Sequence, residues 1–140
     1  GWDRPLQKLL LKLHRLFNDK TKVDKIIWNR HNRLSYPKYI EWVIENYDLS
    51  NSYKKYPCVF PSWDNTARRG NNSFLFFDSS PSYFSKHLKF LKNNFKPYSD
   101  DENFIFINAW NEWAEGNHLE PCQKFGKSYL EVVKKEFHSY

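Results

Sequence analysis

Apolar residues in the first third of the chain recur at the three- and four-residue spacing of amphipathic helices. Over residues 4 to 17 the apolar positions share one side of a helix and the basic positions share the other, with Asp3 placed to cap its start. A short strand is predicted at residues 24 to 28. A second helix is predicted from Ser35, a suitable N-cap, with Pro37 in its first turn. The apolar stripes are Leu6, Leu9, Leu10, Leu13, Leu16 and Phe17, and Tyr39, Ile40, Val43, Ile44 and Tyr47.

The rest of the chain alternates short apolar runs with longer segments. The run 57–60, closed by Pro61, predicts a buried strand. The unbroken apolar run 104–107 predicts a strand buried on both faces. A helix is predicted from Ser80 and Pro81, and another near the C-terminus. Their apolar positions are Phe84, Leu88, Leu91 and Phe95 in the first, and Tyr129, Leu130, Val133 and Phe137 in the second.

Each predicted strand in this part is followed by a long polar loop, 62–79 after the first and 108–123 after the second. Strands that alternate with helices predict parallel βα units and an α/β fold. In such folds ligands bind outside the carboxyl ends of the strands. The two loops are therefore predicted to lie side by side and to carry the function.

The second loop is dense in groups that suit glycoside chemistry. Glu112 and Glu115 are close in sequence, and cleavage of a glycosidic bond needs one carboxyl group that gives a proton and one that stays ionised. A helical turn after Trp110 would place both on one face. Two tryptophans would supply stacking surface. The expected substrate-binding residues are Asn108, Trp110, Asn111, Trp113, His118 and Glu120. The alternative interpretation is a helix N-terminus, where acids are favoured and Trp packs the core.

The first loop contains Trp63, Asp64 and Asn65, followed by Arg68 and Arg69. An arginine there is suited to hold a phosphate or carboxylate, and the other three are suited to contact a sugar. The alternative is an Asx-turn with solvated arginines. His14, His31, His87 and His138 are expected on the surface or in packing. Neither metal-ligand spacing nor a glycine-rich phosphate loop is present, so no metal or cofactor is expected.

The composition of the chain limits the classes of partner that are expected. Aromatic residues make up 19 %, which favours a ligand-binding protein, and the net charge is +6 from scattered lysines that are typical of a solvated surface. Recognised nucleic-acid motifs are absent, so nucleic acid is not an expected partner. Cys58 and Cys122 are predicted to be free thiols in a reducing compartment. No apolar run approaches the roughly 18 residues of a membrane span.

Two stretches resemble the signature of WbsX-type proteins, which are glycosyltransferases of lipopolysaccharide O-antigen biosynthesis and similar to glycoside hydrolase family 99. One is Phe60-Pro61-Ser62-Trp63-Asp64-Asn65-Thr66-Ala67-Arg68-Arg69. The other is Phe106-Ile107-Asn108-Ala109-Trp110-Asn111-Glu112-Trp113-Ala114-Glu115-Gly116, followed by His118-Leu119-Glu120-Pro121. Gln123, Phe125-Gly126 and Tyr129-Leu130 continue the likeness, which runs from about Tyr56 to Leu130.

The resemblance implies a (β/α)8 barrel. Because a barrel needs roughly 250 residues, and the chain begins at Gly1 without Met, residues 1–140 are expected to be a single domain, the C-terminal half of a longer barrel. The resemblance also implies that Glu112 deprotonates the sugar 2-hydroxyl and that Glu115 protonates the leaving oxygen. Ala114 stands where family 99 hydrolases have His, which favours transfer and keeps retaining hydrolysis of α-mannosides as the alternative. A non-catalytic glycan-binding module is the third interpretation.

The resemblance sets the remaining expectations. The partners are a sugar donor and acceptor, together with the missing half of the barrel or a second copy of the chain. The expected location is the cytoplasm, with peripheral association at the inner face of the bacterial membrane. The isolated chain is expected to be inactive.

Overall fold

The computed structural model of this chain describes residues 27–29, 32–48, 53–70 and 73–138. The predicted helix at residues 4 to 17 and most of the predicted strand at 24 to 28 lie outside these ranges. The strands are β1 (Ile27–Asn29), β2 (Arg33–Ser35), β3 (Cys58–Val59), β4 (Leu75–Phe77), β5 (Phe106–Ile107), β6 (Asn111–Glu112) and β7 (Asn117–His118). The helices are α1 (Tyr36–Glu45), α2 (Thr66–Arg69), α3 (Pro81–Asn94) and α4 (Ser128–Phe137), with 3-10 turns at Asp100–Glu102 and Trp113–Glu115.

Local sequence signals set the helix starts as predicted. The Ser35 hydroxyl accepts a hydrogen bond from the Lys38 backbone N–H at 3.5 Å, with Pro37 in the first turn. Ser80 is the N-cap of α3, with Pro81 as its first residue. The predicted apolar face of α3 is buried throughout, and Tyr129 of α4 is buried against it. The predictions of α1, α3 and α4 are confirmed.

Helices and strands alternate along the described residues, and two of the strand pairs are parallel, so the fold is α/β. The three-stranded sheet has the order β1-β2-β4, in which β2 and β4 are parallel. In the second sheet β3 lies parallel to β5, with Cys58 opposite Phe106 and Val59 opposite Ile107. The third pair, β6 and β7, is antiparallel. Closure of these strands into a barrel stays a prediction.

Helices α3 and α4 cover one face of the β3–β5 pair and form the main core with it. Val59 points to this side and is fully buried, with Ile105 and Ile107 packed at its edge. The buried cluster consists of Val59, Phe84, Leu88, Leu91, Leu119 and Tyr129. Leu119 belongs to the second predicted loop, so the loop is anchored in the core at one end.

The opposite face of the β3–β5 pair is apolar and open to solvent. Phe104 is 49 % exposed and Phe106 is 54 % exposed, so the prediction that the 104–107 run is buried on both faces is wrong. Tyr56 contacts both rings, with centroids 5.8 and 6.2 Å away. Cys58 is also exposed. We call this surface, formed by Tyr56, Cys58, Phe104 and Phe106, the open sheet face.

The segment from 62 to 79, predicted as a polar loop, contains regular structure. Helix α2 and strand β4 both fall within it. Strand β4 is held by β2 and by the backbone of the loop itself, since the Phe76 N–H donates to the Trp63 carbonyl at 2.8 Å. Strand β4 matters for function because the residues that follow it lie at the site described below.

Cys58 and Cys122 are both free thiols, as predicted. Among the described residues, no helix combines the length and apolarity required to cross a bilayer.

His87 lies on the buried face of α3 and is 2 % exposed, which confirms its packing role. Burial lowers the pKa of His87 to about 4, because the core disfavours the charged imidazolium. The unfolded chain, with a histidine pKa of 6.5, therefore binds this proton more readily than the folded chain does. Stability should fall as the pH drops from 6.5 toward 4, by about 3 kcal/mol for this one group.

The test of this pH dependence is His87→Gln, which cannot titrate. Urea unfolding of the full-length protein at pH 7 and pH 4.5 should show a smaller loss of unfolding free energy in the variant than in the parent. His138→Gln, an exposed histidine, serves as the control and should keep the parental slope. Equal slopes in the parent and His87→Gln would contradict the assignment.

Candidate functional site

The two long loops that follow β3 and β5 lie side by side, as predicted. The Asp64 N–H donates to the Glu115 carbonyl oxygen at 2.7 Å. The Ser62 hydroxyl donates to the Gly116 carbonyl oxygen at 2.5 Å. Because β3 and β5 are neighbouring parallel strands, their carboxyl ends open on the same side and bring the two motifs together.

Gly116 allows the close approach of these loops. It has a left-handed φ of +56°, and a Cβ there would meet the Asp64 carbonyl oxygen at 2.9 Å. A side chain would therefore strain the backbone and push the loops apart.

We expect Gly116→Ala to lower the unfolding free energy by about 1–3 kcal/mol and to reduce activity with it. Gly126→Ala is the matched control, because Gly126 has a similar φ of +54° but nothing within 4 Å of the added Cβ. Urea unfolding of both variants, measured in the full-length protein, separates the backbone strain from the clash. A loss no larger in Gly116→Ala than in Gly126→Ala would show that the loops adapt to the extra methyl group.

Glu115 is buried at the junction of the two loops. Its residue exposure is 5 %, and its Oε1 forms an ion pair with the Arg68 guanidinium from α2. Oε2 is buried without a hydrogen-bond partner among the described residues. Burial of an unpaired carboxylate destabilises a fold. The ion pair with Arg68 therefore explains how the carboxylate of Glu115 is tolerated in a buried position.

Glu112 is placed differently from Glu115. It ends strand β6, lies opposite Asn117 of β7 and is exposed. The condition considered from the sequence, a helical turn directly after Trp110, is met only in part, because the segment forms a two-stranded antiparallel ribbon around a 3-10 turn at Trp113–Glu115 and Glu112 lies in the strand before that turn. One carboxylate thus faces solvent and the other is enclosed. A single cleft that holds both carboxylates stays a prediction.

Trp113 and His118 form a flat aromatic surface on the β6–β7 ribbon. Their rings stack with centroids 3.8 Å apart and an angle of 22° between planes. The Trp113 indole N–H donates to Glu120 Oε2 at 2.7 Å, and the His118 Nδ1 lies 3.2 Å from the Glu120 carbonyl oxygen. Trp110 and Trp113 are both about half exposed. Both indoles are therefore available to a ligand.

The predicted residues of the first loop divide into two groups. The Asp64 carboxylate accepts from the Thr66 N–H at 2.9 Å, so the Asx-turn of the alternative interpretation is present. Asn65 is buried, and its side-chain oxygen accepts from the Phe74 N–H at 2.8 Å. Asn65 thus fastens the loop to β4, and its predicted contact with substrate gains no support from this position. Arg68 is half exposed and meets Glu115, so the loop does more than present solvated arginines.

Asn108 and Asn111 lie on the exposed side of the second loop. The Asn108 N–H donates to the Val59 carbonyl at 2.8 Å, which extends the β3–β5 ladder and leaves the side chain exposed. Asn111 lies opposite His118 in the β6–β7 ribbon and is exposed. Their roles as sugar ligands stay predictions.

A cleft with a volume of about 840 Å³ lies beside the paired loops. Four predicted site residues line it, namely Trp63, Asp64, Trp113 and His118. It is also lined by Gln123, which belongs to the family resemblance, and by residues that the sequence analysis did not single out, including Arg33, Asp78 and Lys124. Asp78 directly follows β4, so recognition of that strand would have pointed to it by the rule that ligands gather at strand ends.

Asn117 was also missed. It is fully buried, and neither atom of its amide has a hydrogen-bond partner among the described residues. Asn117 lies opposite Glu112 in the β6–β7 pair, so a buried amide neighbours the strand that carries the exposed carboxylate. Within the described residues, no group of three or more His, Cys, Asp or Glu is arranged to hold a metal ion.

Comparison with known proteins places this geometry in a family. The model of the family described as Glycosyltransferase WbsX matches residues 5–133. Two proteins, each named "Uncharacterized protein WxcX", from Xanthomonas campestris pv. campestris strains B100 and ATCC 33913, are each 34 % identical over 84 residues. Each match covers 59 % of this chain and 12 % of the relative, so the chain corresponds to a small part of these proteins. No solved structure matches the chain.

The family match extends over nearly the whole chain and includes both motifs that the fold brings together. The chain belongs to the WbsX glycosyltransferase family.

Proposed function

We propose that this protein is a glycosyltransferase that assembles lipopolysaccharide O-antigen or another surface polysaccharide. Membership of the WbsX family supports a carbohydrate-active enzyme. The observation that carries the proposal is the meeting of the two motifs, in which Glu115 of one pairs with Arg68 of the other beside exposed tryptophans. Acids, stacking rings and amides gathered after parallel strands form an arrangement suited to a sugar.

The two glutamates have different roles in the proposed reaction. Glu112, exposed at the end of β6, removes the proton from the 2-hydroxyl of the donor sugar. The freed oxygen attacks the anomeric carbon while Glu115 gives a proton to the leaving oxygen. The intermediate is the sugar in which the 2-oxygen is bonded to the anomeric carbon. Glu115 then takes a proton from the acceptor hydroxyl, and the acceptor oxygen attacks the anomeric carbon and opens this intermediate. The 2-oxygen regains its proton from Glu112. Two displacements at one carbon retain its configuration.

Arg68 bears directly on the role of Glu115. A guanidinium against a buried carboxylate stabilises its ionised form. That form suits the second step, in which Glu115 accepts a proton. The first step needs protonated Glu115, so the Arg68 contact has to weaken when the donor binds. Since the Arg68 side chain is 49 % exposed, it has room to move toward a phosphate or carboxylate of the substrate.

We also propose that the described fold is the C-terminal part of a (β/α)8 barrel. The parallel β3–β5 pair, covered by α3 and α4 on one side and open on the other, resembles two neighbouring barrel strands with their helices. The open sheet face would then point into the barrel. In this arrangement the missing strands, or a second copy of the chain, complete the walls of the site, and residues 1–140 alone are inactive.

The proposed location is the cytoplasm, at the inner face of the bacterial membrane. This location follows from the proposed role in surface-polysaccharide assembly.

The test of this function is deletion of the natural gene in the host, followed by analysis of its surface polysaccharide. We expect a truncated or absent polysaccharide, restored by the full-length gene. An unchanged polysaccharide would refute a role in its assembly. In vitro, transfer yields a new glycosidic bond, whereas the alternative family 99-like hydrolysis yields free sugar. A glycan-binding module would bind sugar and give neither product.

A further inference from the structure

The cleft beside the paired loops is a site distinct from the two glutamates. Trp113 and Gly116 line it, but neither Glu112 nor Glu115 is among its described lining residues. Glu115 is instead turned toward Arg68 on α2. The cleft therefore borders the proposed reacting position without containing it. Its volume of about 840 Å³ lies in the range of small-molecule binding sites.

One wall of the cleft is aromatic. Trp113 stacks on His118, and Trp63 contributes a second indole whose N–H is buried without a hydrogen-bond partner among the described residues. Flat rings with a polar edge suit a ligand that has both an apolar face and hydroxyl groups.

The lining of the cleft also includes Asp78, which has an unusual backbone conformation. Asp78 has a φ of +61°, the left-handed region that residues other than glycine adopt infrequently and that Asp and Asn tolerate best. It is exposed immediately after β4, and its carboxylate makes no hydrogen bond or ion pair with another described residue. Ligand-binding positions are one place where such a conformation persists.

We infer that Asp78 is a substrate-binding residue and that this cleft holds a neutral sugar unit next to the reacting one. The ring lies against Trp113 and His118, and its hydroxyl groups donate to the Asp78 carboxylate. Arg33, which lies over the Phe77 ring at 5.6 Å, and Gln123 complete the polar rim. This inference rests on the proposed function, because it concerns the glycan on which the glutamates act.

The test measures sugar binding by the full-length protein. Methyl glycosides of mannose, glucose, galactose and rhamnose are titrated by saturation-transfer NMR and by tryptophan fluorescence. Asp78→Asn keeps the size and the tolerated backbone but loses the charge. Asp78→Gly keeps the backbone and removes the side chain. Both variants should raise the Kd of at least one glycoside about tenfold, which corresponds to the loss of one hydrogen bond to a charged group. Asp101→Asn, an exposed acid in the 3-10 turn at Asp100–Glu102, should bind as the parent does.

Equal Kd values in the parent and both Asp78 variants, or no binding of any of the four glycosides, would overturn the inference. Glu112→Gln separates it from the proposed function. If Glu112→Gln loses turnover and the Asp78 variants bind sugar as the parent does, the enzymatic function is supported and the Asp78 subsite is refuted. If the Asp78 variants bind sugar more weakly and the parent protein shows no turnover, the sugar-binding cleft is supported and the proposed enzymatic function fails.

Discussion

Replacing Glu112 or Glu115 by Gln is expected to lower the rate of sugar transfer by about 10²- to 10⁴-fold, the usual contribution of a positioned acid or base. Gln keeps the shape of the side chain but neither gives nor takes a proton. Glu112→Gln removes the base in an exposed position and should leave stability unchanged. Glu115→Gln also removes the partner of Arg68, so its activity has to be measured on folded protein.

The control for both variants is Glu45→Gln, an exposed acid at the end of α1 and outside both loops. Rates are compared in the full-length protein with circular dichroism to verify folding. Near-parental turnover in Glu112→Gln would remove it from the chemistry. Near-parental turnover in folded Glu115→Gln would assign that residue to holding the loops together.

Residues 1–140 in isolation should associate or unfold without a sharp transition. The open sheet face exposes two phenylalanines, Phe104 and Phe106, and the outer edges of β3 and β5 have no strand partner among the described residues. Exposed edges and apolar faces favour pairing with another chain. Sedimentation of the purified chain should show oligomers, and thermal unfolding should be broad.

Phe106→Lys should shift the chain toward the monomer by placing a charge on the open sheet face. Phe137→Lys is the matched control, because Phe137 is 38 % exposed but lies at the end of α4, in a different element. A parent chain that sediments as a monomer and unfolds in one sharp transition would contradict the proposed half barrel.

Helix positions were predictable because their signals are local. Ser35 with Pro37, and Ser80 with Pro81, define helix starts within a few residues, and the apolar stripe of α3 gives its buried face. Burial of a strand depends on partners elsewhere in the chain. The run 104–107 has the composition of a strand covered on both sides, yet Phe106 is exposed because, among the described residues, α3 and α4 cover one face of the pair and nothing covers the other. Strand β4 was missed although residues 74–77 form an apolar run of the kind that predicts a strand, because the whole segment 62–79 was assigned to a polar loop.

The meeting of the two motifs was predictable from the sequence, but the geometry of their meeting was not. Strand order and loop density identified the two motifs that meet at Glu115 and Asp64. Sequence spacing could not show that Glu115 is enclosed against Arg68 while Glu112 faces solvent, because that difference arises from the ribbon and turn around Trp113. Asp78 lies in the first predicted loop and Asn117 in the second, and both were missed because a single Asp or Asn among other polar residues gives no pattern. Only the fold shows that Asp78 is exposed at the end of β4 and that Asn117 is fully buried.

The most direct test of the central claim is proton NMR of the first-formed product when the full-length protein is supplied with a sugar donor and an acceptor glycan. We predict a new anomeric signal with the configuration of the donor retained, and no such signal from Glu112→Gln. The absence of a new anomeric signal would contradict glycosyl transfer by this protein. An inverted signal, or the same signal from the parent and Glu112→Gln, would contradict the proposed retaining mechanism through Glu112.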